Sequence, residues 1–468
     1  MNLAFRSLLV ALSLVWTVAC AVGPDYERPK VALPLRYRFE PETATAASLA
    51  DLPWWQVFGD SALCSLVEEA LQNNYELLIA TARVDGARAQ ARAAGAQLLP
   101  RIGVAGAGSY GNSFQGVAAA GKSYYTASAI GSASWELDVF GRLRRTAEAA
   151  RAAYAASEEA RRGVWVTVLA DVGQSYFQLL ALDIQRVVAE RTVAARAKTL
   201  DIFRIRAEGG IGTDLDVARA EADLAGATAV LANLKQQISL NEDMISILLG
   251  RSPGPIARTA TSAALAPPPV VPAGLPSTLL ERRADVREAE ANLVAANAQV
   301  GVAMANLFPT FSLTGTGGIA ATSLSFLQAP NPAGIYSLAG QTNWLAPILQ
   351  GSSLRYQVEA SKANWVAART TYVQTVMTAL KDVADSLATL ERLRERRAEE
   401  EKQVAALQRA VDLSHTQFEG GTATYLDVIS AEQQRFPAEL NLAQLQALQL
   451  TAYVQLYRSL GGGWWLAR

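Results

Sequence analysis

A few side chains in this 468-residue sequence could carry chemistry: two cysteines, one histidine and a repeated pair of aspartates. Cys20 follows a short apolar leader, where a cysteine can be modified. Asp216 and Asp427 each come three residues after a threonine, at the predicted start of a helix, where a carboxylate can accept backbone N–H bonds. One histidine and two cysteines do not suggest a histidine-based metal site, a histidine-assisted nucleophile or a disulfide framework. The sequence therefore predicts no catalytic residue and no metal ligand.

The N-terminus has the pattern of a cleaved export signal over residues 1–19. Arg6 supplies the positive region, an apolar stretch covers 7–16, and small residues precede Cys20. This end resembles the lipobox of bacterial lipoproteins, in which the cysteine after the cut is acylated. Residue 21 is Ala21 and not the aspartate that usually retains lipoproteins at the inner membrane. The pattern predicts a covalent lipid on Cys20 and no other cofactor; the alternative is an ordinary secretory signal with an incidental cysteine.

Composition places the chain among folded proteins and excludes several classes. Hydrophobic residues make up 50% and charged residues 18%, which is not the composition of a disordered chain. Lys and Arg number 42 against 43 Asp and Glu, a net charge of -1, so the basic field that a nucleic-acid-binding protein needs is missing. After the signal, no apolar run reaches the roughly 18–20 residues of a transmembrane helix.

One sequence motif occurs twice. Residues 208–217 and 419–428 match at seven of ten positions with an offset of 211, and the correspondence extends along the chain. The sequence therefore divides into two repeats, 60–250 and 277–461. The other segments are the signal peptide 1–19, an extended N-terminal arm 20–59, a linker or equatorial segment 251–276 and a C-terminal tail 462–468.

Each repeat has the same predicted elements in the same order: a helix, two strands, a very long helix and a second long helix. The very long helices contain no proline and end at paired glycines, and at 1.5 Å per residue they reach roughly 100 Å. Helices of that length stack side by side or span a gap. The expected elements are helices 60–96, 143–207 and 214–249 with strands 101–111 and 124–136 in repeat one, and helices 277–306, 352–418 and 425–460 with strands 310–320 and 335–345 in repeat two.

The strand pattern favours a membrane barrel; a water-soluble sheet with one wet face is the alternative. In 124–136 and 310–320, apolar and polar residues alternate, and aromatic residues lie at the strand ends. Four strands cannot close a barrel in lipid, which takes at least about eight, and an open edge leaves backbone groups unsatisfied. Several copies of the chain must therefore pool their strands, and the arithmetic allows two, three or four copies.

Four segments together resemble the TolC-type outer membrane efflux proteins, in the lipoprotein branch that serves resistance-nodulation-division (RND) pumps. They are Cys20–Pro29, Trp54–Asp60, the stretch 274–309 and the two GxxTxLDV turns at 210–217 and 421–428. The family commonly has proline where this chain has Ala284. The resemblance covers essentially the whole mature chain. It implies a mainly α-helical fold with a membrane β-barrel: a homotrimer with a 12-stranded shared barrel, four strands per chain, on a long periplasmic α-helical barrel.

The resemblance also implies a function. The chain would be the outer membrane channel of a tripartite efflux pump in a Gram-negative bacterium, a passive exit duct for small molecules and not an enzyme. Its partners would be two further copies, a periplasmic adaptor (membrane fusion) protein, an inner-membrane RND transporter and outer membrane lipid, with no nucleic acid. Two alternatives stay open: the duct of a type I protein exporter or metal-efflux system, and a lipid-anchored periplasmic coiled-coil scaffold without a pore.

By the same resemblance, the repeated turns form the periplasmic end of the channel. The family closes this end with an acidic constriction, which assigns Asp216, Leu426, Asp427 and Ser430 to the gate; relatives often have a second aspartate at the position of Ser430. The plainer interpretation, which does not exclude these roles, is helix capping by threonine and aspartate and helix termination by glycine. The turns would contact the adaptor through exposed backbone at Gly209, Gly210, Gly212, Gly420 and Gly421.

Overall fold

Long helices make up most of the chain in the computed structural model, which describes residues 21–39, 53–111, 124–258, 279–321, 333–343 and 350–462. The longest two have 67 and 69 residues, and each is followed by a helix of 35 residues. Both are rich in alanine, the residue with the highest helix propensity, and neither contains proline. The helices are α1 Trp54–Val57, α2 Ser61–Asn73, α3 Tyr75–Ala96, α4 Arg142–Glu208, α5 Asp214–Leu248, α6 Leu279–Arg282, α7 Ala284–Ala305, α8 Gly351–Glu419 and α9 Tyr425–Ser459.

The first helix of each repeat is divided in two, where the sequence predicted one continuous helix. The predictions over 60–96 and 277–306 were wrong, because the structure has α2 and α3 in the first place and α6 and α7 in the second. A polar side chain sits at each break and binds the carbonyl end of another helix. Asn74 donates to the carbonyl oxygen of Leu248 at 2.8 Å, and its own side-chain oxygen caps α3.

The second break occupies the equivalent place in the other repeat. Arg283 donates to the carbonyl oxygen of Ser459 at 3.2 Å, and Ser459 lies one repeat offset after Leu248. The Arg283 guanidinium also pairs with Asp285 at 2.6 Å and Asp382 at 3.1 Å. Repeat two therefore uses a buried, ion-paired arginine where repeat one uses an amide.

The strands form one antiparallel sheet in the order β1-β2-β3-β4. The central pair joins the two repeats, with Gly131 of one opposite Gly317 of the other. The last strand begins two residues before the expected start at 335. Among the described residues, β1 and β4 each pair with a single neighbour, so the sheet has two open edges. The strands are β1 Arg101–Gly111, β2 Tyr124–Leu137, β3 Thr310–Ala321 and β4 Ala333–Asn343.

Apolar side chains of the two edge strands are exposed in the single chain. Ile102 and Val104 of β1 are 84% and 85% exposed, and Tyr336 and Leu338 of β4 are 92% and 79% exposed. Isolated exposed apolar residues are ordinary on protein surfaces, but a row of them on a sheet with open edges marks a contact surface.

The chain forms two compact units, and each unit takes segments from both sequence repeats. The first contains 83–158 and 288–373, which include the sheet, and the second contains 159–287 and 374–468, which include both repeated turns. None of the helices in the described part of the chain is both long and apolar enough to cross a lipid bilayer.

The second unit has a core of aromatic and aliphatic side chains with one buried polar bond. Tyr176 and Leu63 are fully buried, and the Tyr176 hydroxyl donates to the Asp60 carboxylate at 2.5 Å. The other oxygen of Asp60 accepts from the backbone N–H of Ala62 at 2.9 Å and caps α2. This carboxylate therefore fixes the start of α2 and ties it to α4.

We expect Tyr176→Phe to lower the free energy of unfolding by about 1–2 kcal/mol, because Asp60 stays buried and loses a donor. Thermal or urea unfolding of the purified protein, followed by helical circular dichroism, measures the change. Tyr356→Phe is the matched control, since Tyr356 is 69% exposed and loses the same hydroxyl from the surface. Equal shifts for the two variants would contradict the role of the buried bond.

Candidate functional site

The first repeated turn ends α4 with glycine and begins α5 with threonine. Gly210 has a φ of +72°, which glycine adopts without strain, and the Gly209 N–H donates to the carbonyl oxygen of Ile205 at 3.0 Å. A Cβ atom on Gly212 would lie 3.0 Å from the backbone nitrogen of Ala207, so a larger residue there would require the neighbouring backbone to shift by a few tenths of an ångström. Gly209 and Gly210 are exposed.

The second turn has the same construction between α8 and α9. Gly421 has a φ of +71°, and the Gly420 N–H donates to the carbonyl oxygen of Thr416 at 3.0 Å. Both glycines are exposed, and the Thr422 N–H donates to the carbonyl oxygen of Gln417 at 2.9 Å. The five glycines proposed from the sequence thus lie in two turns of one design, each with a helix cap.

Threonine and aspartate hold each other at the start of both helices. The Thr213 hydroxyl donates to Asp216 at 2.6 Å, and the backbone N–H of Asp216 donates back to that hydroxyl at 3.2 Å. In the second turn, Asp427 accepts from the Thr424 hydroxyl at 2.7 Å and from the Thr424 N–H at 2.9 Å. These two bonds lower the pKa of Asp427, the hydroxyl bond first. The carboxylate therefore stays ionised, and its hold on the turn is lost only as the pH falls through that lowered pKa.

The gate residues proposed on α9 share one exposed face. Leu426 is 53% exposed, Asp427 and Ser430 are exposed, and the Ser430 hydroxyl donates to the Leu426 carbonyl oxygen at 2.7 Å. Val428 and Ile429 point to the opposite side and are buried. Among the described residues, no hydrogen bond joins Asp216 to Asp427; each carboxylate accepts from its own threonine.

An aromatic cluster that sequence reasoning missed joins the two turns within one chain. The ring centroids of Phe203 and Tyr425 are 3.9 Å apart, and those of Phe418 and Tyr425 are 5.7 Å apart. Arg206 lies over the Phe418 ring at 5.1 Å. Burial, with the nearby Glu432 carboxylate, raises the pKa of Tyr425 to about 12. The sequence signal that could have revealed this cluster is the presence of aromatic residues beside the glycine turns, in helices that are otherwise rich in alanine.

A second contact links three helices further from the turns. The Arg196 side chain of α4 is buried and donates to the carbonyl oxygen of Asp223 in α5 at 2.8 Å. Gln433 of α9 donates to the Asp223 carboxylate at 2.9 Å, and Arg196 stacks on the Phe436 ring at 5.4 Å. The hairpin α4–α5 is therefore tied to α9 at two levels.

The lipidation candidate Cys20 lies just outside the described residues, but the arm that follows it is firmly seated. Gly141 has a φ of +79°, and a Cβ atom there would lie 2.8 Å from the Cα of Ala21. A Cβ atom on Gly23 would lie 2.5 Å from the Cα of Gly301 in α7. Both glycines leave room for the arm, so the chain reaches the residue after Cys20 at the turn between β2 and α4.

Charged groups complete the seat of the arm. Asp25 pairs with Arg145 of α4 at 2.9 Å, and the Arg145 side chain is only 7% exposed. Tyr26 donates to Glu290 of α7 at 3.1 Å, and Arg28 forms a two-point ion pair with the same carboxylate. Burial, with the Glu290 charge, raises the pKa of Tyr26 and keeps its hydroxyl protonated as a donor.

The described residues contain no group of three or more histidine, cysteine, aspartate or glutamate side chains placed to hold a metal ion. The recognisable features are instead a sheet with two open edges, paired helical hairpins with exposed glycine turns, and a seated N-terminal arm. Together they define a class of chain whose sheet has two unpaired edges and whose helical turns are exposed.

Comparison with known proteins identifies the family. The profile of the outer membrane efflux protein family matches residues 66–251 and 275–462, so the two matched segments follow the two repeats. This chain belongs to the outer membrane efflux protein family.

Individual relatives match along almost the whole chain. The toluene efflux pump outer membrane protein TtgC of Pseudomonas putida is 31% identical over 467 residues, which cover 95% of this chain and 93% of TtgC. The cation efflux system protein CusC of Escherichia coli is 30% identical over 463 residues, which cover 97% of each protein. Among solved structures, the outer-membrane channel OprN has a TM-score of 0.85 and 29% identity, covering 95% of this chain and 100% of the OprN chain.

We expect Tyr425→Ala to loosen both repeated turns, because it removes the ring that contacts Phe203 and Phe418. Amide hydrogen exchange of 199–218 and 416–430 should become faster, and limited proteolysis should cut there at lower protease concentration. Tyr425→Phe keeps the ring and is the matched control. If Tyr425→Phe loosened the turns as much as Tyr425→Ala, the hydroxyl and not the ring contacts would hold them.

Proposed function

We propose that this protein is the outer membrane channel of a tripartite efflux pump. The observation that carries the proposal is the four-stranded sheet with two open edges, in a chain that belongs to the outer membrane efflux protein family. In lipid, each unpaired backbone group at an edge costs several kcal/mol, so the edges must be paired by further strands. The protein lies in the outer membrane of a Gram-negative bacterium and extends into the periplasm.

Three copies of the chain form the channel in this proposal. Four strands from each copy give twelve, which is within the range of closed barrels in outer membranes. The β1 edge of one copy pairs with the β4 edge of the next, and no edge is left open. The apolar side chains of these strands then face lipid or a neighbouring copy instead of water.

The channel works as a passive duct and performs no catalysis. The repeated turns form its periplasmic end, where Asp216, Leu426, Asp427 and Ser430 border the aperture. A periplasmic adaptor contacts the exposed glycine backbone of the turns and opens this end, and an inner-membrane RND transporter supplies the energy. Support for these roles comes from the exposure of four of the five glycines and of the α9 face on which three of the four gate residues lie.

The fold of the channel does not determine which substrate class passes through it. TtgC is named for the efflux of toluene and CusC for the efflux of cations, although both resemble this chain to nearly the same degree. We propose small molecules as the cargo. In the metal-efflux and protein-export alternatives, the pump and the cargo would differ from this proposal, but the chain would still form the outer membrane duct.

Purified wild-type protein should run as a heat-dissociable trimer and conduct ions in planar bilayers. We expect the double variant Asp216→Ala, Asp427→Ala to have a higher single-channel conductance. Each carboxylate fixes its turn through threonine and lines the aperture, so its removal both loosens and widens the constriction.

Glu359→Ala is the control for the gate, since it removes an exposed carboxylate from α8 far along the chain from the turns. An unchanged conductance in the double variant would remove both aspartates from the gate. A wild-type protein without any conductance would instead favour the lipid-anchored scaffold.

We propose that Cys20 carries the lipid; the arm that follows it, from Ala21 onward, is seated against α4 and α7. Cys20→Ser should abolish labelling of the protein by radioactive palmitate in cells, because the acylated thiol is gone. Cys64→Ser, which changes the only other cysteine, should be labelled like the wild type. Persistent labelling of Cys20→Ser would refute the lipobox.

A further inference from the structure

A contact between a basic side chain and a carboxylate joins the two helices of each hairpin close to its repeated turn. In repeat one, Arg204 of α4 pairs with Glu221 of α5 at 2.8 Å. In repeat two, Nε2 of His415 in α8 lies 3.0 Å from a carboxylate oxygen of Glu432 in α9. Both residues of the second contact lie one repeat offset of 211 after those of the first. The same contact is therefore made with arginine in one repeat and with histidine in the other.

The acidic surroundings of the two basic side chains are also the same. Each has one carboxylate three residues before it and one four residues after it on its own helix, where side chains are neighbours. They are Asp201 and Glu208 in repeat one, and Asp412 and Glu419 in repeat two. The hydrogen bond to Glu221 raises the pKa of Arg204, and the charges of its two neighbours add to this effect. Repeat two thus places a histidine in surroundings that favour a cation.

The helices packed against this end of α8 bring further charged and titratable groups. They are Arg196 and Arg206 of α4, Asp223 of α5, and Tyr425 and Arg435 of α9. Arg196 pairs with Asp223 at 3.4 Å, and Arg435 pairs with Glu439 at 3.7 Å. Among the described residues, the basic side chain that contacts Glu432 is His415.

His415 is the only histidine in the sequence, and imidazole is the side chain whose charge ordinarily changes between pH 5 and 8. The titratable groups of the turn itself keep one state in that range. Burial raises the pKa of Tyr425 to about 12, and the bonds from Thr424 lower the pKa of Asp427. A change from pH 7.5 to pH 5.5 therefore acts on this turn through His415.

Protonation of the imidazole changes the kind of bond that Glu432 accepts. An ionised carboxylate only accepts, so Nε2 of His415 carries the hydrogen, and a proton on the other ring nitrogen turns a neutral hydrogen bond into a charge-assisted one. The Glu432 side chain is 15% exposed and Glu221 is 51% exposed, so water screens the contact in repeat two less.

We infer that the His415–Glu432 contact is a pH-dependent link that stabilises the second turn when the surroundings become acidic, whereas the Arg204–Glu221 pair holds the first turn at every pH. The inference adds a regulation to the periplasmic end of the proposed channel, and its effect on the duct rests on that proposed function. Leu426, Asp427 and Ser430 lie between the turn and Glu432 on α9. A stronger link at Glu432 therefore opposes movement of the gate residues of repeat two.

Amide hydrogen exchange of the full protein tests the link. Protection of 416–430, corrected for the intrinsic exchange rate at each pH, should rise about two- to fivefold from pH 7.5 to pH 5.5, as expected for a partly exposed ion pair. Protection of 199–218 should not change. His415→Arg reproduces the pair of repeat one and should be protected at both pH values. Glu432→Gln removes the charge of the partner and should abolish the pH dependence.

Arg204→His is the reciprocal variant, because it gives the first turn the residue of the second. Protection of 199–218 should then depend on pH with the same sign. A wild-type second turn whose protection does not rise at pH 5.5, or a rise that persists in His415→Arg, would overturn the inference. A first turn that stays independent of pH in Arg204→His would contradict the equivalence of the two contacts and overturn it as well.

Conductance in planar bilayers separates this inference from the proposed function. The single-channel conductance of the wild type should fall from pH 7.5 to pH 5.5 by a larger fraction than that of His415→Arg. Equal fractional changes in the two proteins would overturn the regulation of the duct. If the wild type does not conduct at all, the proposed function fails, and the exchange measurements still decide whether the link exists.

Discussion

Unpaired backbone groups at the two sheet edges are the constraint on which the structure depends. A short sheet of four strands can be stable with one wet face, but in hydrocarbon its edge N–H and C=O groups have no partner. Each chain must therefore meet copies of itself, and a head-to-tail contact that closes is the arrangement that leaves no edge. The internal repeat and the long helices fit this requirement, because they allow the helices of all copies to pack around the same closed ring as the strands.

The two repeats have the same order of elements and the same local caps. They differ at equivalent positions whose side chains contact different helices. Asn74 and Arg283 bind equivalent helix ends, yet only the arginine has ion-pair partners in Asp285 and Asp382. At the turns, both aspartates keep their threonine bond, whereas the position after the threonine is Asp214 in one repeat and the cluster residue Tyr425 in the other. Local capping is therefore common to both halves, and long-range contacts distinguish them.

The sequence predicted the strands and long helices well because their signals are local. Alternation of apolar and polar residues, absence of proline and paired glycines each act within a few residues. The breaks at Asn74 and Arg283 were missed because each is made by a carbonyl group from a helix more than 170 residues away. The seat of the arm and the cluster around Tyr425 were missed for the same reason, since no local pattern says which distant helix a side chain will meet.

The contacts within a chain constrain how the periplasmic end could widen. Parting the two turns of one copy would break the contact of Phe203 with Tyr425 and, further along, the hydrogen bond of Gln433 to Asp223 and the stacking of Arg196 on Phe436. Aromatic pairs contribute about 0.5–1.5 kcal/mol beyond their burial, and hydrogen bonds to charged groups about 1.5–3 kcal/mol. Movement between copies spares all of these contacts. These contacts therefore favour a widening in which each chain moves its two turns together.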